Sequence, residues 1–457
     1  MNARKLIDAG LQGWGRHRTA WGLSAYPESI EQVIDLVTGE NPGVLPRGMG
    51  RSYGDASLNA GRLTIHTQRL DHALDFDPER GELTCEAGLT LGALLRAFVP
   101  RGWTLPVTPG TSHPTIGGSV ACDVHGKNHH VAGTLSRHVR WIDLITADGR
   151  VRRIGPDREP ELFHATCGGM GLTGVIVRLC LQLRRIETAY IDEVTVRVES
   201  LHEMMDQLTL ADRSYAYSAA WMDCAVSGSR LGRGHVLLGR DARPDQLRNG
   251  QDHEPLSVAG LRAVPVPIVP PLSLVNNLTV RIFNGLRLPT VPRRTTNRVI
   301  PFWPFYYPLD VASDWNRLYG PRGFVQYQFV VPFSDGERVI REIVVRCQSR
   351  DQLPALVVLK RMGDAAPGHL SFPIPGWTLA MDLPVKPDLW PLLEEFDRIV
   401  QQAGGRVYLV KDTRLSPEMF RAMYPRFGEW SKIKQTVDPE WRLESGLARR
   451  LRMREGA

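Results

Sequence analysis

A chain of 457 residues is longer than one hydrophobic core ordinarily organises, which predicts two domains. With 42% apolar and 23% charged residues, wholesale disorder is excluded, and 43 glycines and 33 prolines predict many shaped loops. The net charge of +7 favours anionic partners, and without an RNA-binding signature, zinc-finger spacing or a lysine-rich tail these are phosphorylated substrates or acidic headgroups rather than nucleic acid.

In chain order, the first predicted element is a helix over Tyr26–Val37, with Ser29 as cap and Ile30, Val33, Ile34 and Val37 on one face. A short strand then runs into the glycine loop Pro46–Asp55. Strands follow over 63–68 and 81–88, and a helix carries Leu91, Leu94, Leu95 and Phe98 on one side. Residues 105–130 hold too many glycines and prolines for a regular element. Residues 138–154 read as a hairpin turning at Asp148-Gly149, then come a short helix and loop over 161–174 and a strand over 175–183.

From about residue 191 the pattern restarts. Period-two alternation over 190–198, 214–223, 324–332, 355–363 and 377–383 predicts strands, and Glu337–Gln348 and Leu389–Gln402 predict helices. This is an α+β chain whose second domain is an antiparallel sheet covered by helices on one face. Between its strands, the prolines of Val264–Pro292 argue against a core element. That stretch reads as a surface connection, a lid or an apolar surface touching lipid. The tail, 404–441, has a strand, a Lys-Asp pair and short helices.

Six scattered cysteines without a CxxC pair read as reduced thiols. The first residues lack the apolar core of a secretory signal, and no run of eighteen apolar residues occurs. A cytoplasmic location is the expectation, with peripheral contact at the inner face of the plasma membrane left open.

GMGLTG at Gly169–Gly174 fits the GxGxxG dinucleotide fingerprint, but a helix precedes it and a strand follows, the reverse of the required context. The first loop is more telling. Gly48, Gly50 and Gly54 follow a strand and alternate with Arg47 and Arg51, a nest suited to pyrophosphate. The second loop, Pro109–Asn128, repeats the small-residue character, as an extended dinucleotide requires. The three histidines of HGKNHH lack a fourth ligand at recognisable spacing, so no metal site is expected. No GxSxG, HExxH or P-loop occurs, which sets aside serine hydrolases, zincins and nucleoside-triphosphate enzymes.

PRGMGRSYGD and TIGGSVACDVHGKNHH resemble the two flavin loops of the vanillyl-alcohol-oxidase (PCMH-type) superfamily. Within it the chain resembles the decaprenylphosphoryl-β-D-ribose oxidases, through Cys122–His130, Tyr217–Trp221, Gln326–Val330, Ser371–Trp377, Lys411–Arg414 and Asp438 to Leu451. The resemblance implies an FAD-binding domain over residues 1–190, completed by 401–457, and a substrate domain over 191–400. It implies FAD contacts from Arg47, Gly48, Met49, Gly50, Arg51, Ser52, Tyr53 and Gly54. On the second loop these are Gly110, Thr115, Ile116, Gly117, Gly118, Cys122, His125, Gly126 and Asn128, and further along Ile176 and Tyr408. Covalent members often use a first-loop histidine where Arg51 stands, so noncovalent FAD is expected.

The implied reaction oxidises the ribose 2'-hydroxyl of a polyprenyl-phosphoryl sugar, which a short-chain-dehydrogenase-type reductase then completes as an epimerisation to arabinose. Quinone or oxygen takes the electrons. Lys411 is the implied proton acceptor, with His125 and Tyr53 beside flavin and sugar. Lys127 and Lys360 are assigned to the phosphate, and Trp221, Tyr306, Gln326 and Gln328 to the sugar. Thr378 and Ala380 are further implied substrate contacts, and there the chain departs from many relatives, which carry asparagine and cysteine. A free-sugar, alditol or aldonolactone oxidase of the same superfamily is the rival enzyme, and a flavin-free lipid-sugar-binding subunit the rival of another class.

Overall fold

The computed structural model describes residues 6–248, 250–258 and 263–455. Two sheets form from the strands before residue 183. The first runs Ile7–Gln12, Thr19–Ala25, Leu63–His66, Val44–Arg47, with Leu63–His66 parallel to both its neighbours. The second is antiparallel, with Val175–Gln182 between Glu82–Glu86 and Val139–Ile145. Helix Ile30–Thr38 starts where Ser29 accepts a hydrogen bond from the Gln32 amide, and it buries Val33, Leu36 and Val37. Helix Leu91–Phe98 buries the apolar stripe read from its sequence. The hairpin turns through Gly149 at φ +79°.

The remaining strands build one antiparallel sheet of eight, ordered Thr296–Pro301, Tyr190–Val198, Gly234–Asp241, Tyr217–Met222, Val357–Met362, Gly376–Pro384, Phe324–Val331, Arg406–Val407. Side-chain alternation divides its faces. Val325, Tyr327, Phe329, Leu379, Met381 and Leu383 point into a core shared with helices Leu201–Ala211, Gly336–Ser349 and Leu389–Gln402. Gln326, Gln328, Lys360 and Ala380 lie on the other face, which is free to meet the first domain.

After Arg406–Val407 the chain returns to where it began. Val44 and Arg442 pair through the backbone at 2.8 Å, Glu444 N donates to Val44 O at 3.0 Å, and Gly446 N donates to Leu58 O at 2.7 Å. Within this return Lys434 and Asp438 form a fully buried ion pair.

Four readings change. Helix Leu201–Ala211 joins the two predicted ones, capped by Ser200 on the Glu203 amide. Residues 105–130 contain the short helix Ile116–Ala121 and the start of a second, His129–Ala132. The prolines of Val264–Pro292 leave room for helix Asn277–Thr290, because none lies between Pro271 and Pro289 and Asn276 caps its start. The strand expected after residue 404 shrinks to Arg406–Val407.

Candidate active site

A cavity of about 1130 Å3 lies between the first domain and the polar face of the large sheet. Ligand pockets usually run to roughly 300–1,000 Å3, so this one has room for an extended molecule and a second ligand. The first glycine loop forms one wall. Gly50 has φ +61°, a conformation that side chains resist, and a Cβ there would strike the Arg47 guanidinium. A Cβ on Gly48 would come within 2.3 Å of Thr115 Oγ1, so the two loops touch only because that position is glycine. Arg47 is committed within the protein, donating to Ser57 O at 2.6 Å and Gln12 O at 2.7 Å. Arg51 stacks over Trp14 at 4.2 Å and keeps its buried Nε unpartnered.

The second loop supplies the facing wall. Thr115 caps helix Ile116–Ala121 by accepting from the Gly118 amide, while the Ile116 and Gly117 amides donate to Leu89 O and Ala87 O, so Thr115, Gly117 and Gly118 are held rigidly at the cavity wall. His125 is buried against Phe372 and Tyr408, with ring centroids 5.6 and 5.4 Å away. Gln328 Nε2 lies 3.1 Å from His125 Nε2, which makes Nε2 the acceptor and places the ring proton on Nδ1. That Nδ1 is buried and unpartnered. Burial, aided by Lys360, holds the imidazole neutral, well below its ordinary pKa. The GMGLTG stretch contributes Met170, Gly171 and Gly174 to the same cavity, which is the backbone approach its glycines permit.

The sheet forms the floor in rows fixed by strand register. Gln326 pairs with Asp382, Gln328 with Ala380 and then Val358, and Lys360 with Thr378. Trp221 stacks on His235 at 5.5 Å farther along. Lys411 enters from the returning segment. Its Nζ sits 3.6 Å from the Tyr53 ring centroid and makes no ion pair among the described residues. The neighbouring Asp412 pairs instead with Arg450 at 2.8 Å, and Tyr53 N donates to Val410 O at 3.1 Å. Burial lowers the Lys411 pKa to about 7 against the opposing pull of Asp382. Burial likewise brings Lys127 to about 7 and Lys360 to about 8. Lys127 Nζ donates to the carbonyls of Phe305 and Tyr306 at 2.7 and 3.1 Å.

Most residues singled out from sequence meet at this cavity, including Arg47 to Tyr53, Gly110, Thr115, Gly117, Gly118, Cys122, Ile176, Tyr306 and Tyr408. Four stand behind its wall. Gly54 packs so closely on the returning segment that a Cβ would lie 1.8 Å from Asp412 O. Ile116 is fully buried in the first domain's core. Asn128 Nδ2 donates to Pro106 O at 2.8 Å, and Thr378 is fully buried and accepts from Gln328 at 3.3 Å. The histidines of HGKNHH disperse. His129 accepts from the Gly363 amide, His130 faces Tyr215 O, and no group among the described residues could hold a metal.

Sequence reasoning missed three residues here. Asp382 is buried, accepts from Gln326 Nε2 at 2.6 Å and leaves its second oxygen unpartnered. Burial raises its pKa to about 7. The signal for it was present: Thr378, Ala380 and Asp382 alternate along one strand and share a face. Trp14, and Asp310, which binds Thr111 Oγ1 and Ser112 N, carried no local signal because only tertiary folding brings them in.

Residues 23–155 match an FAD binding domain family, and residues 380–451 match the D-arabinono-1,4-lactone oxidase family. The decaprenylphosphoryl-beta-D-ribose oxidase of Mycolicibacterium smegmatis is 39% identical over 97% of both chains. An uncharacterized Streptomyces coelicolor protein is 37% identical over 79% of this chain and its own whole length. L-gulonolactone oxidase of Bos taurus is 28% identical over 40% of each chain.

The site fits FAD: two loops in contact at glycine line one elongated cavity together with Arg51 and His125, each of which keeps a buried nitrogen unpartnered within the protein. Pro46–Asp55 contains neither histidine nor cysteine, in keeping with an FAD-binding domain that holds its cofactor noncovalently. An FAD-dependent oxidoreductase with a separate antiparallel-sheet substrate domain, the chain belongs to the decaprenylphosphoryl-β-D-ribose oxidase family.

Proposed function

We propose that the enzyme oxidises the 2'-hydroxyl of a polyprenyl-phosphoryl-β-D-ribose to a ketone. The observation that carries this reading is the set of three lysines, Lys127, Lys360 and Lys411, sharing one cavity with Gln326 and Gln328. Two different tasks suit them. Lys127 and Lys360 offer positive charge to a phosphate, whose arrival offsets their loss of hydration. Lys411, held near a pKa of about 7, has a neutral fraction able to take the hydroxyl proton at ordinary pH.

The carbinol C–H bond breaks with its electron pair leaving the sugar, and the O–H proton passes to Lys411 Nζ. When bound, FAD supplies the hydride acceptor. Gln326, oriented by Asp382, and Gln328, oriented against His125, hold the sugar hydroxyls, while Tyr53 screens Lys411 from water. Tyr306 and Trp221 bound the sugar pocket. The division of labour runs between residues 1–190 with 401–457, which grip FAD, and 191–400, which receive substrate. A reductase of the short-chain-dehydrogenase type would consume the ketone, and quinone or oxygen would reoxidise the flavin.

The match of residues 380–451 to D-arabinono-1,4-lactone oxidase favours a second reading, oxidation of a free aldonolactone or alditol. Anaerobic mixing separates the two. Polyprenyl-phosphoribose should bleach the flavin of the wild-type protein, and Lys411→Ala should slow bleaching by at least about 100-fold, the low end of what general base catalysis contributes. Bleaching by free lactones or alditols but not by the lipid sugar would overturn the leading reading.

A further inference from the structure

The stretch from Pro255 to Leu309 contains six arginines and neither aspartate nor glutamate, so it carries six of the chain's seven net charges. Within it, helix Asn277–Thr290 turns only Val280, Asn284 and Leu288 inward. On the opposite side Leu278, Ile282 and Leu286 recur every fourth residue and are 67%, 52% and 69% exposed, with Phe283 beside them at 54%. Helices of globular proteins ordinarily turn the apolar stripe to the core. This one turns its larger stripe outward.

The preceding proline-rich run extends the surface with Val264, Ile268, Leu272 and Leu274, each more than half exposed. Arg281, Arg293 and Arg294 stand exposed around it. Polar anchors keep the helix in this attitude: Asn284 Nδ2 donates to Asp223 Oδ1 at 2.7 Å and Asn277 Nδ2 to Asp351 O at 2.5 Å. The same helix reaches the active site. Phe283, Arg287 and Thr290 are exposed residues that also line the cavity, so they form its rim, and Arg287 lies over Trp221 at 5.9 Å.

We propose that this face seats on an anionic lipid bilayer, bringing the cavity rim against the headgroups so that a lipid-linked substrate enters without leaving the membrane. Charge decides the occupant. A second copy of the same face would set arginine against arginine, whereas acidic headgroups meet the arginines while the leucine, isoleucine and phenylalanine side chains enter the acyl boundary. The surface thus behaves as an in-plane anchor, consistent with the absence, among the described residues, of any helix long and apolar enough to cross a membrane. The purpose assigned to it rests on the lipid-linked substrate reading above; the docking itself does not.

Co-sedimentation of the holoenzyme with vesicles tests the proposal. Binding should be at least tenfold stronger to phosphatidylglycerol-containing vesicles than to pure phosphatidylcholine, and should weaken as salt rises. The variant Leu278→Ser/Ile282→Ser/Leu286→Ser changes only outward side chains. It should lose that binding at least tenfold while keeping its flavin content and its rate on a short-chain substrate in detergent. Arg293→Gln/Arg294→Gln should weaken binding to anionic vesicles and leave phosphatidylcholine binding unchanged. Failure of the wild type to bind anionic vesicles at low salt, or undiminished binding by the triple variant, would overturn the proposal. So would a dimer in solution that the triple variant dissociates, because the face would then belong to a second copy. A protein that binds vesicles but is not bleached by the lipid sugar would overturn the substrate reading and leave the docking face standing.

Discussion

Lys411 and Asp382 illustrate how single residues set the working pH. Burial depresses the Lys411 pKa to about 7, so the neutral amine, the proposed proton acceptor, becomes available as pH rises through that value. Lys360 and Lys127, the proposed phosphate ligands, lose their charge as pH rises through about 8 and 7. The rate of flavin reduction at saturation should therefore climb with pH to a plateau above 7, while half-saturation for substrate worsens progressively from about 7 through 8; stopped-flow titration across pH 6–9 reads both. Asp382, itself raised to about 7, opposes the depression of the Lys411 pKa as it ionises, so Asp382→Asn should move the rising limb toward acid. A limb that stays put or moves toward alkali would show that Asp382 does not act on Lys411. Lys127, Lys411, Gln326 and Gln328 were picked out through ordered motifs, whereas Lys360 lies outside them. Asp382 was legible too, in the alternation of its strand, but a carboxylate in an apolar run reads as a strand end until its partner on Phe324–Val331 is known. Trp14 and Asp310 come from distant sequence and left no trace in any local pattern.

At the level of elements, periodicity was a reliable guide where burial is one-sided. The helices Gly336–Ser349 and Leu389–Gln402 and the strand Phe324–Val331 coincide closely with the stretches predicted for them. It failed where short helices are held by caps and context rather than by an apolar stripe, as at Ile116–Ala121. Helix Leu201–Ala211 carried its start signal in Ser200 and Glu203, and Glu203 closes the turn by accepting from the Glu199 amide at 2.8 Å. Ser200→Ala should lower unfolding free energy by about 1 kcal/mol with flavin content unchanged, as measured by urea denaturation. Gly54→Ala is expected to behave oppositely. Its Cβ has no room against Asp412, so the first loop must shift, and the purified protein should lose most of its flavin absorbance.

At the scale of the whole molecule, two domains close on one elongated cavity, so its contents should act as a fastener between them. FAD at about 100 times its dissociation constant adds about 2.7 kcal/mol to the folded state by mass action. Removal of flavin should lower the melting temperature and addition of FAD restore it, in differential scanning fluorimetry. Because no histidine or cysteine tethers the cofactor in the first loop, acid precipitation should release yellow flavin into the supernatant. Flavin remaining with the pellet would contradict the noncovalent assignment. The two-domain plan was readable from the change of periodicity near residue 190. The return of the tail onto the first domain was implied only by resemblance, since nothing local in 404–441 says which surface it meets.

The clasp formed by Arg450 carries that last point into time. Arg450 pairs with Asp55 at the end of the first flavin loop and with Asp412 beside Lys411, and 395 residues separate it from Asp55. At a synthesis rate of roughly 5–20 residues per second, the loop waits about 20–80 s on the ribosome before its brace exists. A nascent chain therefore carries its first loop without this brace for most of its synthesis, so the loop's finished shape is a property of the completed chain.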